Sequence, residues 1–594
     1  MTAEDGDARP RVPVRGARVL LGLAAVAVAF AAADTYVVVL ALPDMMSSVG
    51  LAIDELQRAA PIVSGFLLGY VAMLPLIGRI ADLRGRLPVL VGSLVVFALG
   101  SLVTAAAYDL PSMVVGRFLQ GVGGGGLVPA TLALVADIYP PARRGVPLGV
   151  VGAVQELGSV VGPLYGAVVL AVADWEDIFW INLAVGLVLA AVLRAHPTSG
   201  PVVEPAEARR LDLLGAVLAV LAVACLALVM LEPDALATDV TFGLAFLPVA
   251  GGSRWLSPLG ISFLVLVVAL LVRCWFARSP LVDVRRWRGV AAQADLPGAA
   301  LLALSLSGII LAFATADPEV QVFSPAGPWL LAGSALAAAA FWWRNRRTTH
   351  PLVPHGAFAR TPAWGSLAVS FFVGAALIAA LVDIPIFARV TVYPDSQLNA
   401  ALVLVRLLVA LPVGALVGGY LTRRFASGAV TALGMVLAAV GFTWMSRWGL
   451  TSLDHPVATV PLLMTGLGFG LALAPVNAAL LAATDDAVHG VTSALLVVAR
   501  MVGMLVGISA LTTIGLRRYY AVQVGLPAPA DVCDTGTRCE EYTNLLKEAG
   551  LAQLQTVFVG AAVCAVVAGA LALVTFRTAQ TRGIATAEAL RQAG

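Results

Sequence analysis

Three observations predict an all-α polytopic membrane protein. Of 594 residues, 60% are hydrophobic and 12% charged, against about 45–50% and about 25% in soluble domains. Mean hydropathy is +0.93. The apolar residues gather into sixteen stretches of about 17–28 residues, each long enough to cross a hydrocarbon core of about 30 Å.

The first six predicted spans are 18–42, 59–80, 88–107, 112–137, 147–173 and 178–195. The first is apolar for longer than the h-region of a signal peptide, about 7–15 residues, so it reads as a span. The second runs into Gly78-Arg-Ile-Ala-Asp82-Leu-Arg-Gly85-Arg86, a tight basic turn in which Gly85 permits the bend and Asp82 can cap or pair. The fourth carries Arg117-Phe-Leu-Gln120-Gly121, and the fifth Gly158-x3-Gly162-Pro163-x2-Gly166, whose small residues let helices approach closely.

Four spans follow at 212–231, 259–277, 296–316 and 328–343. Asp212-Leu-Leu-Gly215 opens one pair, which returns to Arg278-Ser-Pro-Leu-Val282; Asp295-Leu-Pro-Gly298 opens the next, which returns to His350-Pro-Leu-Val353. Shared opening, closing and topology read as two duplicated helical hairpins. The last six spans are 363–388, 398–421, 427–447, 458–484, 489–516 and 552–576.

Loop charge sets the expected orientation. With the N-terminus inside, 26 basic residues fall in inner loops, tails or inner span ends, 8 on the outer side and three deep within spans, so both termini are expected in the cytoplasm of a plasma (inner) membrane protein. Trp275, Trp342 and Trp343 at inner ends, with Trp175, Tyr519 and Tyr520 at outer ends, suit interfacial aromatic belts.

Composition also excludes functions. A net charge of +2 implies no polyanion-binding surface, so nucleic acid is not an expected partner. The only lysine is Lys547, and Gly121–Gly126 is followed by no Gly-Lys-Ser/Thr, so there is no P-loop for ATP. Transport would draw on an ion gradient, with no cofactor. The five histidines, at 196, 350, 355, 455 and 489, make no metal-ligand spacing. An intramembrane enzyme is disfavoured because the spans hold no Ser/His, Asp/Asp or His-rich constellation.

The Gly78–Arg86 turn resembles the signature between helices 2 and 3 of the major facilitator superfamily, with Leu87 where that family usually has a basic residue. The stretch around Arg117 and Gly121 resembles its second motif, and Gly158 to Gly166 the motif of its antiporter branch. The resemblance implies a major facilitator fold, two six-helix bundles with inserted central helices like those of the fourteen-helix drug:proton antiporters. Sixteen spans are predicted, with fourteen as the alternative. The organisation reads as a cytoplasmic tail (1–17), an N-terminal bundle (18–195), inserted helices (196–362, with hairpins 212–289 and 295–360), a C-terminal bundle (363–576) with an outer loop (517–551), and a cytoplasmic tail (577–594).

Ala33-Asp-Thr-Tyr-Val-Val-Val39, Gln155-Glu-Leu-Gly-Ser159, Phe179-Trp-Ile-Asn182, Ala410-Leu-Pro-Val-Gly414 and Val498-Ala-Arg-Met501 further resemble the mycobacterial triacylglyceride and multidrug exporters that work with a lipoprotein carrier. That resemblance implies a proton-coupled exporter of lipids or other hydrophobic molecules. A multidrug:proton antiporter is the runner-up, and a non-transporting receptor or scaffold the rival from another class.

Ionisable residues within spans are functional candidates: Asp34, Arg117, Glu156 and Arg500 for proton coupling and ion pairing, with Asp383 and Arg406 less certain. At 1.5 Å per residue, Glu156 lies about 14 Å and Arg500 about 17 Å from the inner ends of their spans, in opposite halves. Asp34 and Arg117 lie about 12 Å and about 9 Å from the outer ends of theirs, both in the N-terminal half. Arg406 could stabilise Asp383 or face water. Asp82 is expected at the positive N-terminal end of the fifteenth helix near Gly490, and Cys533 and Cys539, sharing one outer loop, are expected to form a disulfide. Arg517 to Tyr520 and Tyr542 to Ala549 are expected to carry the last two helices past the membrane surface.

Overall fold

The computed structural model describes residues 14–51, 56–140, 143–195, 212–277, 280, 284–314, 324–393, 397–527, 532–533 and 539–579. The two terminal tails expected from the sequence lie largely outside the described residues. All regular structure among the described residues is helical.

Sixteen long helices follow one another: α1 (Val14–Ser48), α2 (Leu56–Arg84), α3 (Arg86–Ala105), α4 (Leu110–Ile138), α5 (Gly145–Leu170), α6 (Trp175–Ala195), α7 (Leu213–Leu231), α8 (Pro258–Phe276), α9 (Leu296–Ala314), α10 (Gly327–Arg347), α11 (Thr361–Thr391), α12 (Gln397–Leu421), α13 (Ser427–Met445), α14 (Thr459–Ala483), α15 (His489–Gln523) and α16 (Glu540–Thr575). Among the described residues thirteen helices are long and apolar enough to cross a membrane. The apolar stretches described for α1 and α5, Val19–Asp34 and Gly145–Gln155, are shorter. Helix α10 ends in Trp342, Trp343, Arg344, Asn345, Arg346 and Arg347.

Local chemistry sets several boundaries. Gly85 takes φ 88°, open to glycine at little cost, and starts α3 one residue after α2 ends. Asp109 caps α4, accepting from Ser112 N at 2.8 Å while Ser112 Oγ accepts from Asp109 N at 3.3 Å. Ser257 caps α8 ahead of Pro258, whose missing N–H costs nothing at a helix start.

Arg84, Arg86 and Arg144 gather at one end of the bundles, around the contact of Asp82 with Gly490, while Cys533 and Cys539 lie past the far end of α15. We call these the basic end and the disulfide end. Helices α1–α6 form one bundle and α11–α16 another. One hydrophobic cluster fills the C-terminal bundle and, among the described residues, reaches the other through Ala153. A second lies within the N-terminal bundle toward the disulfide end, around Met45, Ile62, Met113 and Phe179. A third spans both bundles, joining α2, α3 and α4 to Ala474, Ala478 and Leu481 of α14 and Ala494, Val497 and Val498 of α15.

The two inserted hairpins open alike. Asp212 accepts from Gly215 N at 2.9 Å and pairs with Arg273 of the returning helix at 2.8 Å; Asp295 accepts from Gly298 N at 3.2 Å and pairs with Arg344 at 2.8 Å. They sit differently. Helix α9 packs on α2 and α15, with Leu306 and Ile310 in the shared core. The α7–α8 hairpin barely touches α3, leaves Val217, Val220, Leu264 and Val268 exposed, and is tied at its tip by Trp255 Nε1 donating to Tyr108 Oη at 3.1 Å.

Candidate functional site: buried charges and the clasp between bundles

In the N-terminal bundle, Arg117 of α4 is 1% exposed and its Nη1 donates to Asp34 Oδ2 of α1 at 2.9 Å and to Gln120 Oε1, one turn along α4, at 2.7 Å. Asn182 Nδ2 of α6 donates to the other oxygen of Asp34. Gln120 Nε2 continues the chain to Ser101 Oγ of α3 at 2.8 Å. The guanidinium carbon lies 4.6 Å from the Phe66 ring centroid and 5.8 Å from that of Phe179. Five helices therefore contribute to the surroundings of one ion pair, and breaking such a pair strands a buried charge.

Glycines bring α1 and α4 to their partners. A side chain at Gly158 or Gly162 would run into the α1 backbone at Ala29 or Ala33, one at Gly166 would meet Val37, and one at Gly121 the α2 backbone at Phe66. The side chains of Glu156 and Pro163 lie outside the described residues, so the anticipated Glu156–Arg500 pairing has no described geometry. Arg500 lines a narrow cleft between the bundles, with Leu132, Val151, Gln155, Val373 and Asn477. Asp383 and Arg406 are not brought together: Arg406 Nη1 donates to Thr459 Oγ1 at 3.1 Å, while Asp383 is 4% exposed on α11.

The bundles are clasped at the basic end. Asp82 Oδ1 accepts from Gly490 N at 2.7 Å and Oδ2 from Val491 N at 3.0 Å, so its carboxylate occupies the positive start of α15. The backbones touch beside it, since a side chain at Gly78 would lie 2.6 Å from Gly490 O. Arg86 pairs with Asp82 at 3.4 Å and with Asp137 of α4 at 3.1 Å, and donates to Asp486 O across the seam at 3.1 Å. Arg144 reaches Asp486 at 3.6 Å; burial lowers its guanidinium from the usual value, and Asp486 opposes that. On the other flank Gly145 and Gly149 of α5 approach Gly419 O and Ala415 O of α12, each 2.6 Å from where a side chain would begin.

The sequence placed Gln120 and Asn182 within motifs without giving them partners, and assigned no role to Asp137, Asp486 or His489. Gln120 could have been found, being a polar residue three positions from Arg117 and so on the same helix face. His489 is fully buried, with Nε2 within 3.1 Å of Leu481 O and of Thr484 O. Both carbonyls only accept, so Nε2 carries a proton. Its Nδ1 faces Asp486 at 3.5 Å. Among the described residues no group of three or more His, Cys, Asp and Glu could hold a metal ion.

At the disulfide end, α15 runs to Gln523 and α16 begins at Glu540, with Cys533 and Cys539 bonded between them. At 1.5 Å per residue their 35 and 36 residues span about 53 Å, well beyond a hydrocarbon core of about 30 Å.

Comparison with known proteins agrees with this architecture. A sequence model of the Major Facilitator Superfamily matches residues 24–508. A triacylglyceride transporter of Mycolicibacterium hassiacum is 36% identical over 540 residues, covering 88% of this chain and 84% of that protein. Triacylglyceride transporters of Mycolicibacterium smegmatis (32% over 578 residues, 94% and 88% covered) and Mycobacterium tuberculosis (35% over 529 residues, 86% and 85% covered) are similar in the same way. Among solved structures, a human organic anion transporter aligns with 94% of this chain and 100% of its own at a TM-score of 0.53 and 15% identity, a likeness of fold.

Proposed function

The chain belongs to the Major Facilitator Superfamily and is a multi-pass membrane transporter, not an enzyme; from that premise we propose that it exports triacylglyceride-like lipids or other hydrophobic molecules in exchange for protons. The observation that carries this reading is the clasp at one end of an inter-bundle cleft whose walls are largely apolar. The two bundles share a core toward the basic end, whereas the cluster nearest the disulfide end of the N-terminal bundle contains no residue of the other. Loop charge supports placing the basic end in the cytoplasm of the plasma membrane, so this conformation is the one closed to the cytoplasm and open outward.

Val128, Leu132, Val151, Val373 and Leu473 give the cleft walls suited to an acyl chain, and Gln155, Asn477 and Arg500 add polar groups. The names of the relatives support a triacylglyceride-like cargo. In the cycle, a proton arriving from outside competes with Arg117 for the Asp34 carboxylate, and its release inside lets the pair reform. The projecting ends of α15 and α16 suit passing a lipid to a lipoprotein carrier outside, since they extend the wall of the cleft beyond the headgroups.

The test is transport in proteoliposomes with an imposed pH gradient, comparing a fluorescent triacylglyceride with a cationic dye. Lipid movement should follow the gradient, and Asp34→Asn should weaken that dependence. Dye moved and lipid left in place would make the protein a multidrug:proton antiporter; movement of neither would point to a receptor or scaffold.

A further inference from the structure

The two bundles place an acidic residue at matching positions with different surroundings. Asp34 lies twenty residues into α1, the first helix of its bundle, and Asp383 twenty-two residues into α11, the first helix of the other. At 1.5 Å per residue the depths are about 30 Å and about 33 Å from the helix starts. In the N-terminal bundle the fourth helix supplies Arg117 as partner. The fourth helix of the C-terminal bundle, α14, has no charged residue along Thr459–Ala483.

No described group replaces that cation. Helix α11 packs on α12, α14, α15 and α16. From α12, Arg406 is engaged with Thr459. On α15, Arg500 lies beside Gly374, nine residues toward the basic end, and Arg517 and Arg518 are exposed near the disulfide end. On α16, Lys547 and Glu548 lie past Gly550, which approaches Val390. Arg389 and Tyr393 follow Asp383 on its own side. None of these forms an ion pair or hydrogen bond with Asp383 among the described residues, while Ala380, Ile384 and Phe387 around it are fully buried.

We infer that Asp383 is a second proton-binding site, in the C-terminal bundle, loaded from the disulfide end independently of Asp34. A carboxylate buried with no cation is far costlier than its protonated form, so the acid form fits this pocket. The carboxyl lies eight residues, about 12 Å, from the disulfide end of α11, on the side from which the proposed cycle draws its protons. Asp34 is charge-neutralised by an arginine and Asp383 by a proton, so each cycle would carry a proton at each. The inference rests on the proton-coupled reading above.

Two measurements on the full chain decide it. Infrared difference spectra of the protein in lipid nanodiscs, titrated in pH, should contain a carboxylic-acid carbonyl band that is lost in Asp383→Asn, kept in Asp34→Asn and displaced in frequency in Asp383→Glu, which guards against loss through misfolding. In proteoliposomes, the proton-to-lipid ratio for a fluorescent triacylglyceride, read from the pH gradient that just halts its movement, should fall by one proton in Asp383→Asn. A titrating band unchanged by that substitution, a band that never titrates, or an unchanged ratio each overturns the inference. Wild-type lipid movement indifferent to pH would instead overturn the functional reading, and the infrared titration would still decide whether Asp383 exchanges a proton.

Discussion

Between α1, α4 and α6 the N-terminal bundle encloses Asp34, Arg117, Gln120 and Asn182, whereas the C-terminal bundle fills the space among α11, α13, α14 and α16 with Phe387, Phe442, Phe469 and Phe558, joined by Trp448. Phe387 and Trp448 have centroids 5.1 Å apart, Phe442 and Phe469 5.9 Å. Aromatic pairs of this kind contribute about 0.5–1.5 kcal/mol each beyond the area they bury, while charges in a bilayer interior cost free energy unless paired. Stability alone would favour aromatic filling in both bundles. The polar filling of one marks it as the half whose ion pair opens during work, and the aromatic filling of the other, set around the buried Asp383, as the half that holds its shape.

The largest expected effect breaks the polar half. Arg117→Ala strands the Asp34 carboxylate and should cost about 3–5 kcal/mol, read as a lowered unfolding temperature in detergent, together with loss of transport. Replacing the pair with Leu at 34 and Met at 117 should regain most of that stability and none of the transport; transport by the apolar double variant would show that the pair serves packing alone.

The next concerns an extension that only the C-terminal bundle has. Cys533→Ser should loosen the cap between α15 and α16 by about 2 kcal/mol in the chain-entropy model. Faster proteolysis between residues 523 and 540 would show it, with lipid export falling more than dye efflux. Equal protease resistance before and after reduction would remove the disulfide as a support.

Within the aromatic half, Phe558→Leu should cost about 1 kcal/mol and leave turnover per folded molecule unchanged. Altered coupling to the pH gradient in this variant would blur the division of labour. The smallest effect lies at the seam. Asp82→Asn removes charge from the start of α15, about 0.3–1 kcal/mol, enough to shift the balance between open and closed basic ends. Cysteine labelling should then rise at the basic end and fall in the outer cleft, and an unchanged pattern would mean the glycine contacts hold the clasp without it.

Much of this was legible in the sequence. Sixteen apolar stretches correspond to sixteen long helices, the Gly85 turn and the Asp82 contact with the start of α15 followed from a motif, and the extensions of α15 and α16 followed from polar residues flanking apolar ones. Hydropathy, turn chemistry and helix rise are local properties, so depth along each helix can be read from residue number. The same reading left Arg406 as a possible partner for Asp383 and gave no partner to Asn182. It also gave no partner to His489, which is buried against Leu481 and Thr484.

The sequence by itself determined where each long helix lies in the chain, which turns are basic and how far along its helix each charge sits. Only the tertiary structure decided which charges meet, that Arg117 reaches Asp34 83 residues away while Arg406 turns to Thr459, and that one hairpin wedges against α2 and α15 while its near-copy stands aside. The reason is rotational: residue number fixes height along a helix axis, but the direction a side chain faces across a bundle depends on how each helix is turned and which neighbours it packs against. Those are set by close glycine contacts between segments far apart in the chain.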